Sequence, residues 1–175
     1  MQGKHMIVAA IFILVPFSLA FAALSDLISM KIPNRISIIL LSSFLVLSPF
    51  IGMDLRTVSL CILAGLLVFM CCFAFFAFNL MGGGDVKLLT ATSVWYGFNS
   101  SLIEFLLATT FIGGLLTLTI LVLRAHSQEI TSIGIPIPDS LTVAKKIPYG
   151  IGIAAAGLLT YGDSPVVNMA IASLN

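Results

Sequence analysis

The sequence predicts an all-α, polytopic integral membrane protein with about six transmembrane helices. Hydrophobic residues make up 59% of the 175 positions and charged residues only 9%, and the mean hydropathy is +1.17. A soluble domain is about 45–50% apolar and about 25% charged, so the bilayer is the natural solvent for this chain. At roughly 20 apolar residues per crossing, residues 1–175 have room for about six spans. We therefore expect a single transmembrane domain.

Six apolar segments can be read along the chain, and each predicts one span. The first could instead be a cleaved signal peptide, because Lys4 precedes it and small residues lie near its end. Its length favours a span. An apolar tail follows the interruption at 162–165, and it could continue the sixth span or lie in the far interface. The predicted segments are Met6–Leu24, Ile36–Ile51, Val58–Leu80, Val86–Phe98, Leu102–Leu123 and one from Pro148, with the tail at Val166–Leu174.

The distribution of positive charge predicts the orientation. Of the eight Lys and Arg residues, Lys4 and Arg56 fall on one side of the predicted bundle. Loops one, three and five carry the other six, which are Lys31, Arg35, Lys87, Arg124, Lys145 and Lys146. The positive-inside rule then places these loops in the cytoplasm and both termini outside. We expect the long loop 125–147 to be irregular and mobile, and Trp95 and Tyr96 to act as aromatic anchors at the outer interface.

Composition also excludes several kinds of site. Cys61, Cys71 and Cys72 lie in one apolar run without C-x-x-C spacing, which argues against a disulfide framework and a zinc site. No run of Lys or Arg could follow a nucleic-acid backbone, and the net charge is only +1. We therefore expect no metal, no cofactor and no nucleic-acid partner.

Two aspartates stand apart from the other acidic residues. Asp26 closes the first apolar segment and Asp85 opens the fourth, so the predicted topology puts both at the cytoplasmic edge of the bilayer, 59 residues apart in the chain. A carboxylate at that depth is costly unless it faces protein or a water-filled cavity, and so indicates function. The remaining acidic residues fall where water is available, and they are Asp54, Glu104, Glu129, Asp139 and Asp163.

Two facing carboxylates suit peptide hydrolysis. Like charges a few ångströms apart cannot both ionise, so one group stays protonated and the other ionised. The ionised group can draw a proton from water while the protonated group donates to the scissile carbonyl. The alternative is that Asp26 and Asp85 are interfacial charges facing Lys31 and Lys87. The glycines at 82–84 weaken it, because they allow positive φ and close approach of another chain segment beside Asp85.

Three short motifs resemble the type IV prepilin peptidases. Gly82–Asp85 matches that family's GxGD motif. Asp26, followed by Ile32–Asn34, is similar to its first-aspartate motif, and Ile147–Gly150 resembles its P-[FY]-G. All three occur in the family's order, and together they are far more specific than GxGD alone.

The resemblance implies an aspartic endopeptidase of six spans, with Asp26 and Asp85 as the catalytic pair. Such an enzyme cleaves the basic leader from a prepilin-like precursor with an apolar helix, at the cytoplasmic face of the bacterial inner membrane, and serves a pilus assembly system. Membrane lipid would be its other partner. The supporting glycines would be Gly82, Gly83 and Gly84, and residues that contact substrate or shape the site would be Pro33, Asn34, Lys87, Pro148, Tyr149 and Gly150.

The chain departs from the larger members of that family. They carry an N-terminal extension with paired C-x-x-C motifs that is linked to methylation of the new N-terminus. Here five residues precede the first span, so the likeness is to the short form, similar to the peptidases of tight-adherence (Flp) pilus systems. We expect no zinc or methyltransferase extension and no methyltransferase activity.

Two other functions fit parts of the sequence. A small proton-coupled transporter could use Asp26 and Asp85 as a relay, although carriers usually place ionisable groups near the bilayer midplane. A non-enzymatic membrane component of a pilus assembly system would tolerate the loss of either carboxyl group. The small residues at 150–157 would let either a neighbouring helix or a substrate approach closely.

Overall fold

The structure is a computed structural model that describes residues 2–126 and 147–174. In these two ranges the chain is helical and contains no strand, which confirms the all-α prediction. The long loop lies outside the described residues. The α-helices are α1 (Gln2–Ser29), α2 (Asn34–Leu47), α3 (Leu55–Ala77), α4 (Gly83–Ser93), α5 (Ser100–Ala125), α6 (Tyr149–Thr160) and α7 (Pro165–Ala172), with 3₁₀ turns at Ser48–Ile51 and Tyr161–Asp163.

Four described helices are long and apolar enough to cross a membrane, and they confirm a polytopic membrane protein. They are Gly3–Ser29, Asn34–Ile51, Leu55–Ala77 and Ser100–Ala125. The other two predicted spans contain shorter helices, α4 with 11 residues and α6 with 12. At 1.5 Å per residue each is about 16–18 Å long. A turn with Gly97 at φ +59° follows α4, and the 3₁₀ turn at Tyr161–Asp163 ends α6.

Helix α6 lies at the centre of the bundle, between α1 and α5. Its small residues make this possible. A Cβ added at Gly152 would lie 3.1 Å from the Cα of Gly113, and one at Gly157 would lie 2.7 Å from Leu19 Cδ1. The small residues at 150–157 therefore serve helix packing, which is one of the two uses expected from the sequence.

Helix α4 packs against α3 and α2. Gly65 of α3 faces the C-terminal half of α4, where an added Cβ would lie 2.5 Å from Val94 Cγ2 and 3.3 Å from the carbonyl oxygen of Thr90. A Cβ added at Gly97, in the turn after α4, would lie 2.7 Å from Cys61 Sγ. These tight contacts hold α4 against α3, and its other end carries Asp85.

Trp95 and Tyr96 correct one prediction. Both side chains are 0% exposed, so they do not act as interfacial anchors. Trp95 Nε1 donates a hydrogen bond to the carbonyl oxygen of Leu40 at 3.2 Å, and the Tyr96 hydroxyl donates to that of Gly157 at 3.2 Å. Because the bundle itself satisfies the indole N–H and the phenol, these aromatics pack inside it, where Phe44 meets the Trp95 ring edge-on.

Replacing Gly65 tests the α3–α4 contact. We expect Gly65→Ala to lower the unfolding temperature in detergent micelles, because overpacking a tight contact costs roughly 1–3 kcal/mol. The matched control is Gly114→Ala on the exposed face of α5, where an added Cβ meets no described atom within 4 Å. Alanine favours helix at that position, so the control should keep or raise the unfolding temperature. Equal unfolding temperatures for the two variants would contradict the close contact.

Candidate active site

A cavity of about 570 Å³ lies where several helix ends meet, and both singled-out aspartates line it. The ends of α1 and α3 and the starts of α2, α4 and α6 surround it. The residues of the described ranges that line it are Asp26, Met30, Lys31, Ile32, Asn34, Phe76, Asn79, Leu80, Met81, Gly82, Gly83, Gly84, Asp85, Ile147 and Tyr149.

Asp26 is buried. It lies in the last turn of α1, because this helix continues past the aspartate to Ser29. The backbone N–H of Gly150 donates a hydrogen bond to Asp26 Oδ2 at 2.8 Å. Gly150 lies in the first turn of α6, where backbone N–H groups have no partner inside the helix. A donor at a helix N-terminus stabilises a carboxylate oxygen and fixes its position.

Position 150 has no room for a side chain. An added Cβ would lie 2.7 Å from Asp26 Oδ2 and 2.7 Å from Ile32 Cδ1. The glycine of the P-Y-G motif therefore allows the α6 backbone to reach the carboxylate directly.

Asp85 is buried in the first turn of α4, where the helix dipole favours a carboxylate. A Cβ at Gly82 would lie 2.7 Å from Asp85 Oδ2, and one at Gly84 would lie 3.2 Å from Ile32 Cβ. The close-approach role predicted for these glycines agrees with these distances. The glycines do not use the positive φ that they allow, because Gly82 has φ −73° and Gly83 and Gly84 belong to α4.

Ile32 packs between the helix start that carries Asp85 and the helix start that binds Asp26. Its side chain reaches both Gly84, beside Asp85, and Gly150, whose N–H binds Asp26. Ile32 belongs to the I-P-N motif, but the sequence predicted a site role only for its neighbours Pro33 and Asn34. Its contacts are made with segments far away in the chain, and no local pattern signals them.

The turn that delivers Ile32 is strained. Met30 has φ +53°, which is unfavourable for a residue with a side chain, and its N–H donates to the carbonyl oxygen of Asp26 at 2.9 Å. The Ser25 hydroxyl donates to the carbonyl oxygen of Lys31 at 2.8 Å and supports the reversal. Strained backbone that surrounding contacts hold in place is common at functional sites.

The remaining predicted residues lie close to the cavity in different ways. Tyr149 and Asn34 line it, and Pro33 and Pro148 precede α2 and α6 as their N-caps. Lys87 is exposed outside the lining, and its Nζ donates to Asn34 Oδ1 at 2.9 Å. This bond ties the start of α4 to the start of α2.

Three of the acidic residues that were predicted to lie in contact with water are exposed: Asp54, Glu104 and Asp163. Asp54 caps α3, and hydrogen bonds from the Thr57 hydroxyl and backbone N–H hold the pKa of its carboxyl group below the usual range. Glu129 and Asp139 lie outside the described residues.

One wall of the cavity was not anticipated. Phe76, Asn79, Leu80 and Met81 come from the end of α3 and the turn after it. They border the glycine loop in the sequence, but three of them are apolar and resemble any other span-end residues. Only the fold shows that this segment lines the same cavity as Asp26.

These features define a helical membrane protein with two buried carboxylates in one cavity at the ends of its helices. The chain belongs to the type IV leader peptidase family, whose family model matches residues 13–118, and it is a peptidase at the level of that family. This confirms the resemblance seen in the motifs. A comparison with curated proteins and one with solved structures gave no match. The matched stretch includes Asp26 and Asp85 but ends before α6.

Replacing Gly150 tests the contact between α6 and Asp26. An added methyl group must displace Asp26 or Ile32, and a displacement of about 1 Å in an enzyme can cost on the order of 10²-fold in rate. We expect Gly150→Ala to reduce peptidase kcat/KM by about that factor, measured on a precursor peptide in detergent micelles. In the control Gly162→Ala, the added Cβ meets no described atom within 4 Å. Unchanged kinetics in Gly150→Ala would contradict the proximity.

Proposed function

We propose that the chain is an aspartic endopeptidase that removes the leader peptide of prepilin-like precursors, with Asp26 and Asp85 as its catalytic residues. The observation that carries the proposal is that these two buried carboxylates, from separate helices, line one cavity while a backbone N–H fixes one of them. Membership of the leader peptidase family supports the reaction class.

The proposed reaction uses two carboxyl groups that share one proton. The ionised group takes a proton from water as the water oxygen attacks the scissile carbonyl carbon, and the protonated group gives its proton to the carbonyl oxygen. The tetrahedral intermediate then collapses. The C–N bond breaks as the nitrogen receives a proton from the dyad. A hydroxyl group of the intermediate gives its proton back to the dyad as the carboxylic acid product forms, so the pair returns to its singly protonated state. Coupling between close carboxyl groups keeps one of them protonated.

The cavity suits a substrate with an apolar helix and a basic leader. Phe76, Leu80 and Met81 offer an apolar wall, while the aspartates offer negative charge within the same space. Cations are present at this end of the bundle: Arg35 and Lys87 are exposed near the starts of α2 and α4, and Lys31, in the connection between α1 and α2, is exposed and lines the cavity. By the positive-inside rule this end would face the cytoplasm, and the resemblance to the prepilin peptidases implies that the membrane is a bacterial inner membrane.

This proposed function is more specific than membership of the type IV leader peptidase family, which establishes only the class of peptidase. A short-form enzyme of a tight-adherence (Flp) pilus system would act on a pilin precursor within the assembly machinery. No described feature favours a proton-coupled carrier, and the processing assay below separates the two functions.

Removing either carboxyl group should abolish processing. We expect Asp26→Asn and Asp85→Asn each to reduce cleavage of a co-expressed pilin-like precursor by about 10²–10⁴-fold, because each loses an acid–base group. Precursor size on a gel is the measurement. The matched control is Asp163→Asn, which removes an exposed carboxylate outside the cavity.

All three variants must accumulate in the membrane at the level of the unaltered protein. Normal processing by Asp26→Asn or by Asp85→Asn would remove that residue from the catalytic role. Failure of the unaltered protein to shorten any pilin-like precursor would refute the peptidase assignment itself.

A further inference from the structure

Asn79 is a polar residue on the wall of the cavity that the end of α3 forms, and the proposed reaction of the two aspartates gives it no role. We propose that the Asn79 side-chain amide binds the main chain of the substrate beside the scissile bond. This inference rests on the proposed peptidase function, and it adds a substrate-binding residue to that site.

Asn79 reaches the cavity because of how α3 ends. The helix stops at Ala77, and Asn79 adopts φ +58°. The N–H of Leu80 donates to the carbonyl oxygen of Phe75 at 2.9 Å, and that of Asn79 donates to the carbonyl oxygen of Phe76 at 2.9 Å. This pair of bonds is a Schellman motif, which ends a helix with one left-handed residue. It carries the Asn79 side chain past the helix end and into the lining shared with the aspartates.

A peptidase of this kind must provide hydrogen-bond partners for substrate backbone groups that lose their helical partners. Inside a helix, the scissile carbonyl is shielded by the helical turns and hydrogen-bonded to the chain. Water and two carboxyl groups can reach it only if the segment is extended. Extension at the edge of the membrane leaves backbone N–H and C=O groups without partners, and such groups are costly in an apolar setting. The cavity therefore needs side chains that pair with a peptide group.

Among the described residues that line the cavity, two carry a side-chain amide, which offers a donor and an acceptor side by side. Asn34 already accepts a hydrogen bond from Lys87 Nζ at 2.9 Å. Within the part of the chain that the structure describes, Asn79 has hydrogen bonds through its backbone and none through its side chain. Asn79 is exposed at the cavity wall, and its amide could pair with the N–H and the C=O of one substrate residue, which lie on the same side of an extended chain.

The surroundings of Asn79 strengthen such a pairing. Phe76, Leu80 and Met81 form the apolar part of the same wall. An apolar substrate segment lying against them would exclude water from the amide, and hydrogen bonds are stronger where the local dielectric is low. Side-chain contacts and main-chain hydrogen bonds would then come from one segment of the protein.

A purely conformational role for Asn79 makes a different prediction. Asparagine is tolerated at positive φ, so it could serve only to end α3. Glycine adopts positive φ at least as readily. Asn79→Gly therefore preserves the helix end and removes only the amide, which separates the two roles.

The test measures kcat and KM with purified protein in detergent micelles and a synthetic precursor peptide with a basic leader and an apolar segment. We expect Asn79→Gly to raise KM by about 3–10-fold, the effect of one lost hydrogen bond to a neutral group. Its unfolding temperature should equal or exceed that of the unaltered protein. The matched control is Asn168→Ala, which removes an exposed amide from α7.

Substrate variants locate the partner group. Amides beside the scissile bond are replaced by esters one at a time, which removes one N–H each. At one position the ester should weaken binding to the unaltered protein and leave binding to Asn79→Gly unchanged. Equal losses for both proteins at every position would overturn the pairing.

The outcomes also separate this inference from the proposed function. An unchanged KM in Asn79→Gly, with Asp26→Asn and Asp85→Asn inactive, would overturn the role of Asn79 alone. A raised KM accompanied by a lower unfolding temperature would assign Asn79 to the fold and also overturn it. Failure of the unaltered protein to cleave the peptide would overturn both proposals.

Discussion

The hydrogen bond from the Gly150 N–H to Asp26 is the contact on which the site depends. A buried carboxylate is costly at the edge of a membrane unless a donor meets it, and here the donor is the uncapped start of α6. The bond forms only if the start of α6 lies beside the end of α1 and position 150 has no side chain. The small residues that let α6 fit between α1 and α5 follow from the same requirement.

The second carboxylate reaches the cavity through apolar packing. Ile32 lies against Gly84 on one side and Gly150 on the other, so a single side chain sets the spacing between the start of α4 and the start of α6. The strained turn at Met30 places Ile32 there. A polar contact thus positions Asp26, while close packing positions the helix start that carries Asp85.

The fold was more predictable than the details of the site. Long apolar runs predicted α1, α3 and α5 because hydropathy is a local property. The end of α1 was missed, since polar residues such as Ser25 and Asp26 resemble a terminus. Trp95 and Tyr96 were misplaced because an interfacial and a buried aromatic look alike until the surrounding helices are known. Ile32 was visible only as part of the I-P-N motif, and Asn79 carried no signal, since their significance comes from contacts and a backbone angle.

The register of α6 against α1 also explains how the geometry of the site is maintained. The Tyr161 hydroxyl, just after α6, donates to the carbonyl oxygen of Ile11 at 3.2 Å, while Gly150 binds Asp26 near the other end of α1. Apolar packing alone distinguishes poorly between helix and lipid, so it sets register weakly. A slide of α6 along α1 would break both hydrogen bonds at once. Polar contacts at the two ends therefore fix the helix that completes the cavity, although that helix lies outside the stretch matched by the family.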